Sequence, residues 1–492
     1  MRAAVHVGEH PRGAISPGLY GHNLEHLADC VYPGVWDPGT SDRGVREDVA
    51  EAAEQMGTSV LRWPGGCFAD HYHWLDGVGP PHQRPVRRNW HWGGTEPNSF
   101  GTEEFLGFCE RVGAEAHLTV NLGSGSLHEA LRWADYCNGE QDTSDVLLRR
   151  AGGREQPHGV RLWGIGNETW GPWEAGHAGA ETYARTLANW ARMLKFYDPA
   201  AEVVAVGSAQ ARDPDWDRVV LDVAGEHLDH LSLHVYGARS DHWVEEEYLP
   251  VVCTPEYVRA RVRAMLAVLD RHRPGVRIAV DEWNIRHYDA GGALRRESPR
   301  TLTDAVFAAG VLTALLAESP RVSLAEHVLL TNGNAPLRVT GQQVVRTPLH
   351  HVFSGFSRWM RGTALPTVVE SPDVAMPEPR VEAPGHRPAL DGLPERADYL
   401  DATAARDEDG LTVALVNRHR SQDLHTRLHL PEGLAPHTAW QLAHPNPDAR
   451  NDTDHPDEVL PRTRELTGPH CRCPPHSVTL VRAGPVTPGR RP

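Results

Sequence analysis

No run in this chain approaches the ~18 consecutive apolar residues that a membrane-spanning helix requires. The opening residues, MRAAVHVGEHPRGAISPGLYG, lack the apolar stretch of roughly 7–15 residues found in a secretory signal. The expectation is a cytoplasmic protein that does not enter a membrane. A basic excess is missing too: 49 Lys and Arg stand against 65 Asp and Glu, for a net charge of −16. Such a chain repels polyphosphates and anionic lipid, so nucleic acid is not an expected partner. Cysteine is sparse, with seven in all, and an odd count suits a reducing compartment where thiols need no partner. Cys471-x-Cys473 has no second pair at zinc-finger spacing, so neither a structural metal nor a disulfide is expected there.

What is present is a folded, globular composition, 40% hydrophobic and 23% charged over 492 residues. That length calls for one large domain and a smaller companion. From about residue 16 to residue 355 one rhythm repeats, a short apolar run followed by a longer stretch with helical spacing. Eight such runs occur: LYGHNLEHL (19–27), TSVLRWPGG (58–66), AEAHLTVNLG (114–123), GVRLWGIGNE (159–168), EVVAVGSA (202–209), LDHLSLHVYG (228–237), VRIAVDEWN (276–284) and RVSLAEHVLLTN (321–332). Helices read well between them. TPEYVRARVRAMLAVLDRH, after Cys253, puts Tyr257, Val258, Val262, Met265, Leu266 and Leu269 on one face, and Thr301 to Glu318 gives another. Alternating strands and helices predict an α/β fold, a (β/α)8 TIM barrel over 16–355, closed so that no strand edge is left bare. An open doubly wound sheet is the alternative. It would want a Gly-rich phosphate turn, and Leu122-Gly123-Ser124-Gly125-Ser126 is not a G-x-G-x-x-G. After residue 356 seven prolines fall from Pro366 to Pro394, followed by strand-like pieces such as TVALVN and SVTLVRA. This predicts an all-β, jelly-roll-like sandwich over 356–492, completed by residues 1–15 through AAVHV.

Barrels place their chemistry at the C-terminal ends of the strands. Two carboxylates stand there, Glu168 on the fourth run and Glu282 on the seventh, on nearly opposite sides of the mouth. Either alone reads more readily as a helix cap or an arginine partner. As a pair they suit glycoside hydrolysis, which sets two carboxyl groups across the scissile bond and makes one a nucleophile when the gap is about 5–5.5 Å.

LYGHNLEHL, LRWPGGCFADHYHWLDGVGP, HWGG, WGIGNETWG, LSLHVYG and DEWN, in this order over residues 15–355, together resemble glycoside hydrolase family 51. That family consists mainly of intracellular α-L-arabinofuranosidases. The likeness continues more faintly in YLDATAARDEDGLTVALVNRH (399–419), which resembles part of the family's C-terminal sandwich. The resemblance implies a retaining, exo-acting hydrolase with Glu168 as acid/base and Glu282 as nucleophile. It further implies that Glu25 bonds sugar hydroxyls, that Asn167 contacts the 2-hydroxyl, that His234 and Tyr236 lie beside the carboxylates, and that Arg62 stands near the nucleophile. It implies no cofactor and no metal, a carbohydrate or glycoside as the partner, and assembly into a homo-oligomer.

Physical chemistry adds its own expectations. An ionised nucleophile needs an adjacent cation and donors, which Arg62 and Tyr236 can supply, while burial and the charge of Glu282 should raise the pKa of Glu168. Structural roles compete at several positions: an ion pair for Arg62 or Glu25, a satisfied core imidazole for His234, and plain packing as against a sugar-binding platform for Trp92 and Trp170. Alternation turns Asp281 to the opposite side of its strand from Glu282 and gives it a structural part. His71-x-His73 has the look of a metal site but falls in the stretch that the resemblance assigns to the active-site wall. Two positions bear on substrate recognition. Cys67 follows RWPGG, where the family carries Asn or Cys. Leu329 stands where the family usually offers a glutamine to the sugar, and leucine makes no hydrogen bond. The leading reading is release of terminal α-L-arabinofuranosyl groups. A second keeps the chemistry and changes the glycoside to another pentofuranoside, a xyloside or a glycosylated small metabolite. A third, an inactive sugar-binding barrel, conflicts with the intact carboxylate pair.

Overall fold

The computed structural model describes residues 1–39, 44–208, 215–381 and 390–485. Eight parallel strands follow one another around a closed barrel: β1 (Gly21–Asn23), β2 (Val60–Trp63), β3 (Glu115–Val120), β4 (Leu162–Ile165), β5 (Glu202–Ala205), β6 (His230–Ser240), β7 (Arg277–Tyr288) and β8 (Val322–His327). Each of the eight apolar runs carries or opens one of them. β2 and β4 are buried along their whole length, because helices cover the outside and packed side chains fill the inside, so no polar alternation survives. β6 and β7 run on past their motifs and stay paired as far as Ser240 and Tyr288.

Helices follow every strand, among them Tyr248–His272, Leu302–Leu316 and Pro348–Trp359. The first begins earlier than its sequence pattern and takes Pro255 inside it. The second is buried at every position. A helix that is apolar all round needs cover on all sides, and this one has the barrel beneath it and the β-sandwich strands Leu400–Asp407, Gly410–Asn417 and Ser477–Pro485 above. Its start is fixed by a capping box in which the Thr301 N–H donates to Asp304 Oδ2 at 2.7 Å. The helix Pro348–Trp359 crosses the limit at 355 expected from the sequence, since Leu349, Val352, Phe353 and Phe356 keep one buried face through that point.

The C-terminal part is all-β. One sheet has seven strands, in the order Gly13–Ala14, Thr363–Leu365, Leu400–Asp407, Gly410–Asn417, Ser477–Pro485, Leu434–Leu442 and Arg462–Glu465. The other has four, and the N-terminal strand Arg2–Val7 lies inside it, antiparallel to Thr367–Glu370 and parallel to Leu424–His429. Val5, Val7, Leu411, Val413, Leu415, Leu424 and Val481 meet in the core between the sheets. Cys471 and Cys473 are buried there as free thiols. Barrel and sandwich are joined by a buried ion network: Arg418 binds Glu256 at 2.8 Å and also Asp401, which Arg259 meets at 3.1 Å.

Candidate active site

The strand ends at the barrel mouth are shaped by residues that leave room for carboxylates. In Trp63-Pro64-Gly65-Gly66, Gly65 has φ 112° and a Cβ there would lie 2.5 Å from Glu25; a Cβ on Gly66 would lie 2.7 Å from Glu282 Oε1. Only glycine fits both. At the end of β4 the chain passes through Gly166 at φ 81° and holds Glu168 itself at φ 40°, a left-handed conformation that costs a side-chain-bearing residue of order 1–3 kcal/mol.

On β7 a bulge corrects the expectation for Asp281. Ser232 and His234 of β6 face Ala279 and Glu282, and Ala325 and His327 of β8 face Val280 and Trp283, so β7 carries one extra residue against both neighbours. The bulge breaks the two-residue alternation and turns Asp281 toward the site. Its carboxylate accepts from Ser232 Oγ, lies 3.4 Å from His234 Nε2 and stands 3.7 Å from Arg62 Nε.

Around the two glutamates the donors are arranged unequally. Arg62 Nη1 donates to Glu282 Oε1 at 2.9 Å and the Tyr236 hydroxyl to Oε2 at 2.6 Å. Arg62 Nη2 donates to Asn167 Oδ1 at 2.8 Å. His234 Nδ1 joins Glu168 Oε1 at 2.8 Å, and Trp173 Nε1 donates to Glu168 Oε2 at 3.1 Å. One carboxylate oxygen of Glu168 and one of Glu282 lie within 4.8 Å of each other, with the His234 imidazole equally near.

The electrostatics differ from the sequence expectation. Burial pushes Glu168 up, but the hydrogen bond and charge of His234, helped by Arg286 and Trp173, bring it below the ordinary carboxylate value. His234 moves the other way. Burial lowers it, yet the charge of Glu282 and the contacts to Asp281 and Glu168 hold it well above a normal imidazole. The expected raised pKa of Glu168 is therefore not found, because the proton of the buried pair rests on His234. Glu25 is raised by burial and by the charge of Glu282; it accepts from the Phe68 N–H at 3.1 Å and from Trp92 Nε1 at 2.8 Å.

These groups open into a cavity lined in part by Glu25, Cys67, Trp92, Glu168, Tyr236, Glu282 and Leu329. Arg286 lies 3.8 Å over the Tyr236 ring and Arg296 4.6 Å over Trp92. Trp170 donates to the Gly207 carbonyl at 3.1 Å and is not among the residues lining the cavity. His73 is tied to Glu129 at 2.9 Å, and no potential metal group among the described residues includes it or His71. Arg286 and Arg296 escaped the sequence reading, as did two residues of one turn. Trp173 reaches Glu168, and buried Glu174 accepts from Asn167 Nδ2 at 3.3 Å. Both sit in the WGPWEAG turn, whose tryptophans and acid carry no periodicity to sort them.

Comparison with known proteins decides the family. Residues 52–249 match the family model described as the alpha-L-arabinofuranosidase 1 domain, and residues 281–477 match the alpha-L-arabinofuranosidase C-terminal domain. Alpha-L-arabinofuranosidase C of Emericella nidulans is 33% identical over 495 residues, covering 95% of this chain and 94% of that protein. An intracellular exo-alpha-(1->5)-L-arabinofuranosidase of Streptomyces lividans is 36% identical over 485 residues, covering 91% of this chain and 69% of that protein. The crystal structure of the Thermotoga maritima alpha-L-arabinofuranosidase in its arabinose complex superposes with a TM-score of 0.88 at 32% identity, over 98% of this chain and 100% of that one. The Thermotoga petrophila GH51 enzyme gives 0.87 at 33%, with the same coverage. The chain belongs to glycoside hydrolase family 51. It is thus a glycosidase, and among its described residues no helix is long and apolar enough to cross a membrane. In this family 51 chain Leu329 is 3% exposed and forms part of the cavity wall, where its side chain offers van der Waals contact and no hydrogen bond.

Proposed function

We propose that the enzyme releases terminal α-L-arabinofuranosyl groups from the non-reducing ends of short glycosides with net retention of configuration. The observation that carries this reading is the approach of the Glu168 and Glu282 carboxylates to within 4.8 Å. It favours a nucleophile over a water-activating base, which needs about 6.5–9.5 Å. Glu282, its charge held by Arg62 and Tyr236, attacks the anomeric carbon. The glycosidic C–O bond breaks, and the leaving oxygen takes the proton of the Glu168–His234 pair through Glu168. Water then attacks the glycosyl ester, passing a proton back to Glu168, and Glu282 leaves as the carboxylate. The names of the fungal, Streptomyces and Thermotoga relatives support the arabinofuranosyl substrate. A cytoplasmic setting belongs to the same reading and is supported by the word intracellular in the name of the Streptomyces relative.

The test is Glu282→Ala, which should lose at least about 10³-fold in turnover. Added azide should restore part of it and give a glycosyl azide of inverted configuration. A variant that keeps substantial activity without azide removes Glu282 from the nucleophile's place.

Leu329 favours a second reading, the same chemistry on another glycoside. A wall that hydrogen-bonds a sugar discriminates against analogues by up to ~10⁴–10⁵, whereas an apolar wall discriminates far less. Leu329→Gln should raise kcat/KM on nitrophenyl α-L-arabinofuranoside and lower it on the glycoside the enzyme prefers in a nitrophenyl panel. If the wild type already prefers the arabinofuranoside and Leu329→Gln changes nothing, the leucine is packing and the first reading stands alone.

A further inference from the structure

Cys67, His91 and Glu174 reach one point from three segments, the turn after β2, the turn at Asn89–Gly94 and the loop after β4. One donor atom of each lies within 4.8 Å of the other two. Cys67 is also part of the cavity floor, beside Gly66 and Glu168. Glu174 is 4% exposed, and its Oε2 is buried with no hydrogen-bond partner. An unpaired buried acceptor costs about 1–3 kcal/mol. Burial first, then the charge of Glu168, push Glu174 up to about 9 against an opposing contact from Cys67, which removes its charge but gives the oxygen no partner. Burial and the charges of Glu174, Glu168, Glu25 and Glu282 likewise keep the Cys67 thiol well above its ordinary value. A field that suppresses a thiolate attracts a dication.

We propose that Cys67, His91 and Glu174 form a binding site for a borderline-soft divalent cation of the zinc type, and that its occupation inhibits the glycosidase. Thiolate, imidazole and carboxylate are zinc's donor set, while a hard cation such as magnesium selects oxygen alone. Zinc–donor distances of about 2.0–2.3 Å set tetrahedral ligands roughly 3.5 Å apart. Drawing the three donors together by about 1 Å, a matter of side-chain rotation, closes the site. On binding, the protons of the thiol and of Glu174 pass to solvent, and the orphaned oxygen gains its partner. The other trio within the same reach, Glu168, His234 and Glu282, is a poorer host. Arg62 stands on Glu282, and the protonated His234 opposes a second positive charge. Three protein ligands leave zinc a position for water or a hydroxyl, and an ion bound to Cys67 and beside Asn167 occupies the wall that the sugar must meet.

The binding arm of the test does not depend on which glycoside the enzyme uses, so its failure is distinct from failure of the proposed function. Calorimetric titration of the metal-free, full-length enzyme with Zn²⁺ should show one ion per chain. Co²⁺ in its place should give a thiolate-to-metal charge-transfer band that Cys67→Ser abolishes. Glu174→Gln and His91→Ala should each weaken zinc binding by about 10–100-fold. In kinetics, zinc should raise KM without lowering kcat, and a chelator should reverse the effect. His91→Ala, whose ring is not among the residues lining the cavity, should keep the metal-free activity and lose the zinc inhibition. Zinc affinity unchanged in His91→Ala and Glu174→Gln, or no binding at millimolar Zn²⁺, overturns the proposal.

Discussion

At the residue scale the pair Glu168–His234 governs how the enzyme should respond to pH. The two share one proton, and kcat/KM falls when the pair loses it, so the alkaline limb belongs to both groups. The charge of Glu282 and the contact to Asp281 hold that proton well above the usual imidazole value, which places the limb on the alkaline side. His234→Gln leaves Glu168 to keep the proton alone. The limb should then move to lower pH, with kcat reduced about 10–100-fold; a limb left in place in the pH profile of the variant would show that His234 does not hold the proton. Much of this site was legible in the sequence. Glu25, Arg62, Asn167, His234, Tyr236 and Glu282 stand in motifs at strand ends, and the structure brings all of them together at the mouth. What was hidden depends on backbone detail. Alternation put Asp281 on the wrong side because a bulge has no residue signature here, and Glu174 looked like any acid in a loop until its burial was known.

At the scale of elements, the eight strands were readable because each begins in or near a short apolar run that a helical period follows, while the far ends of β6 and β7 and the ends of the long helices were not. Pro255 marks a helix start in sequence, yet the helix Tyr248–His272 runs through it, and its ring is used in packing. A Cβ on Gly310, in the middle of Leu302–Leu316, would meet Pro255 Cγ at 2.7 Å and Cβ at 3.1 Å. Intrinsic propensity favours alanine over glycine by about 1 kcal/mol in a helix interior. The contact opposes it, since overpacking against a rigid ring costs about 1–3 kcal/mol. We expect packing to win and Gly310→Ala to lower stability by about 1 kcal/mol or more. Urea unfolding checks this, and a midpoint that rises would mean the two helices separate freely.

For the whole molecule, the helix Leu302–Leu316 and the Arg418 network tie barrel and sandwich into one unit. Arg418 lies at a buried position between Glu256 and Asp401. Burial raises Glu256, but Arg418 and Arg259 outweigh it and bring it down to about 2. A carboxylate with a depressed folded pKa contributes stability above its unfolded value and loses it as pH falls from about 4.5 toward 2. Arg418→Met leaves the buried carboxylates of Glu256 and Asp401 with Arg259 alone and should cost up to about 3 kcal/mol at neutral pH. Calorimetry should record the loss in a single transition shared by both parts, and the variant should be less sensitive than wild type to acid between pH 4.5 and 2. A barrel transition unmoved by Arg418→Met would mean the parts unfold separately. The strand Arg2–Val7 adds a dimension of time. It leaves the ribosome before the barrel, but its two neighbours begin at Thr367 and Leu424. At roughly 5–20 residues per second it waits on the order of 20–80 s for both partners. Through that interval it is a strand with two open edges, so a segment made before the barrel is paired only after it, and chaperone occupancy of the nascent chain should concentrate there.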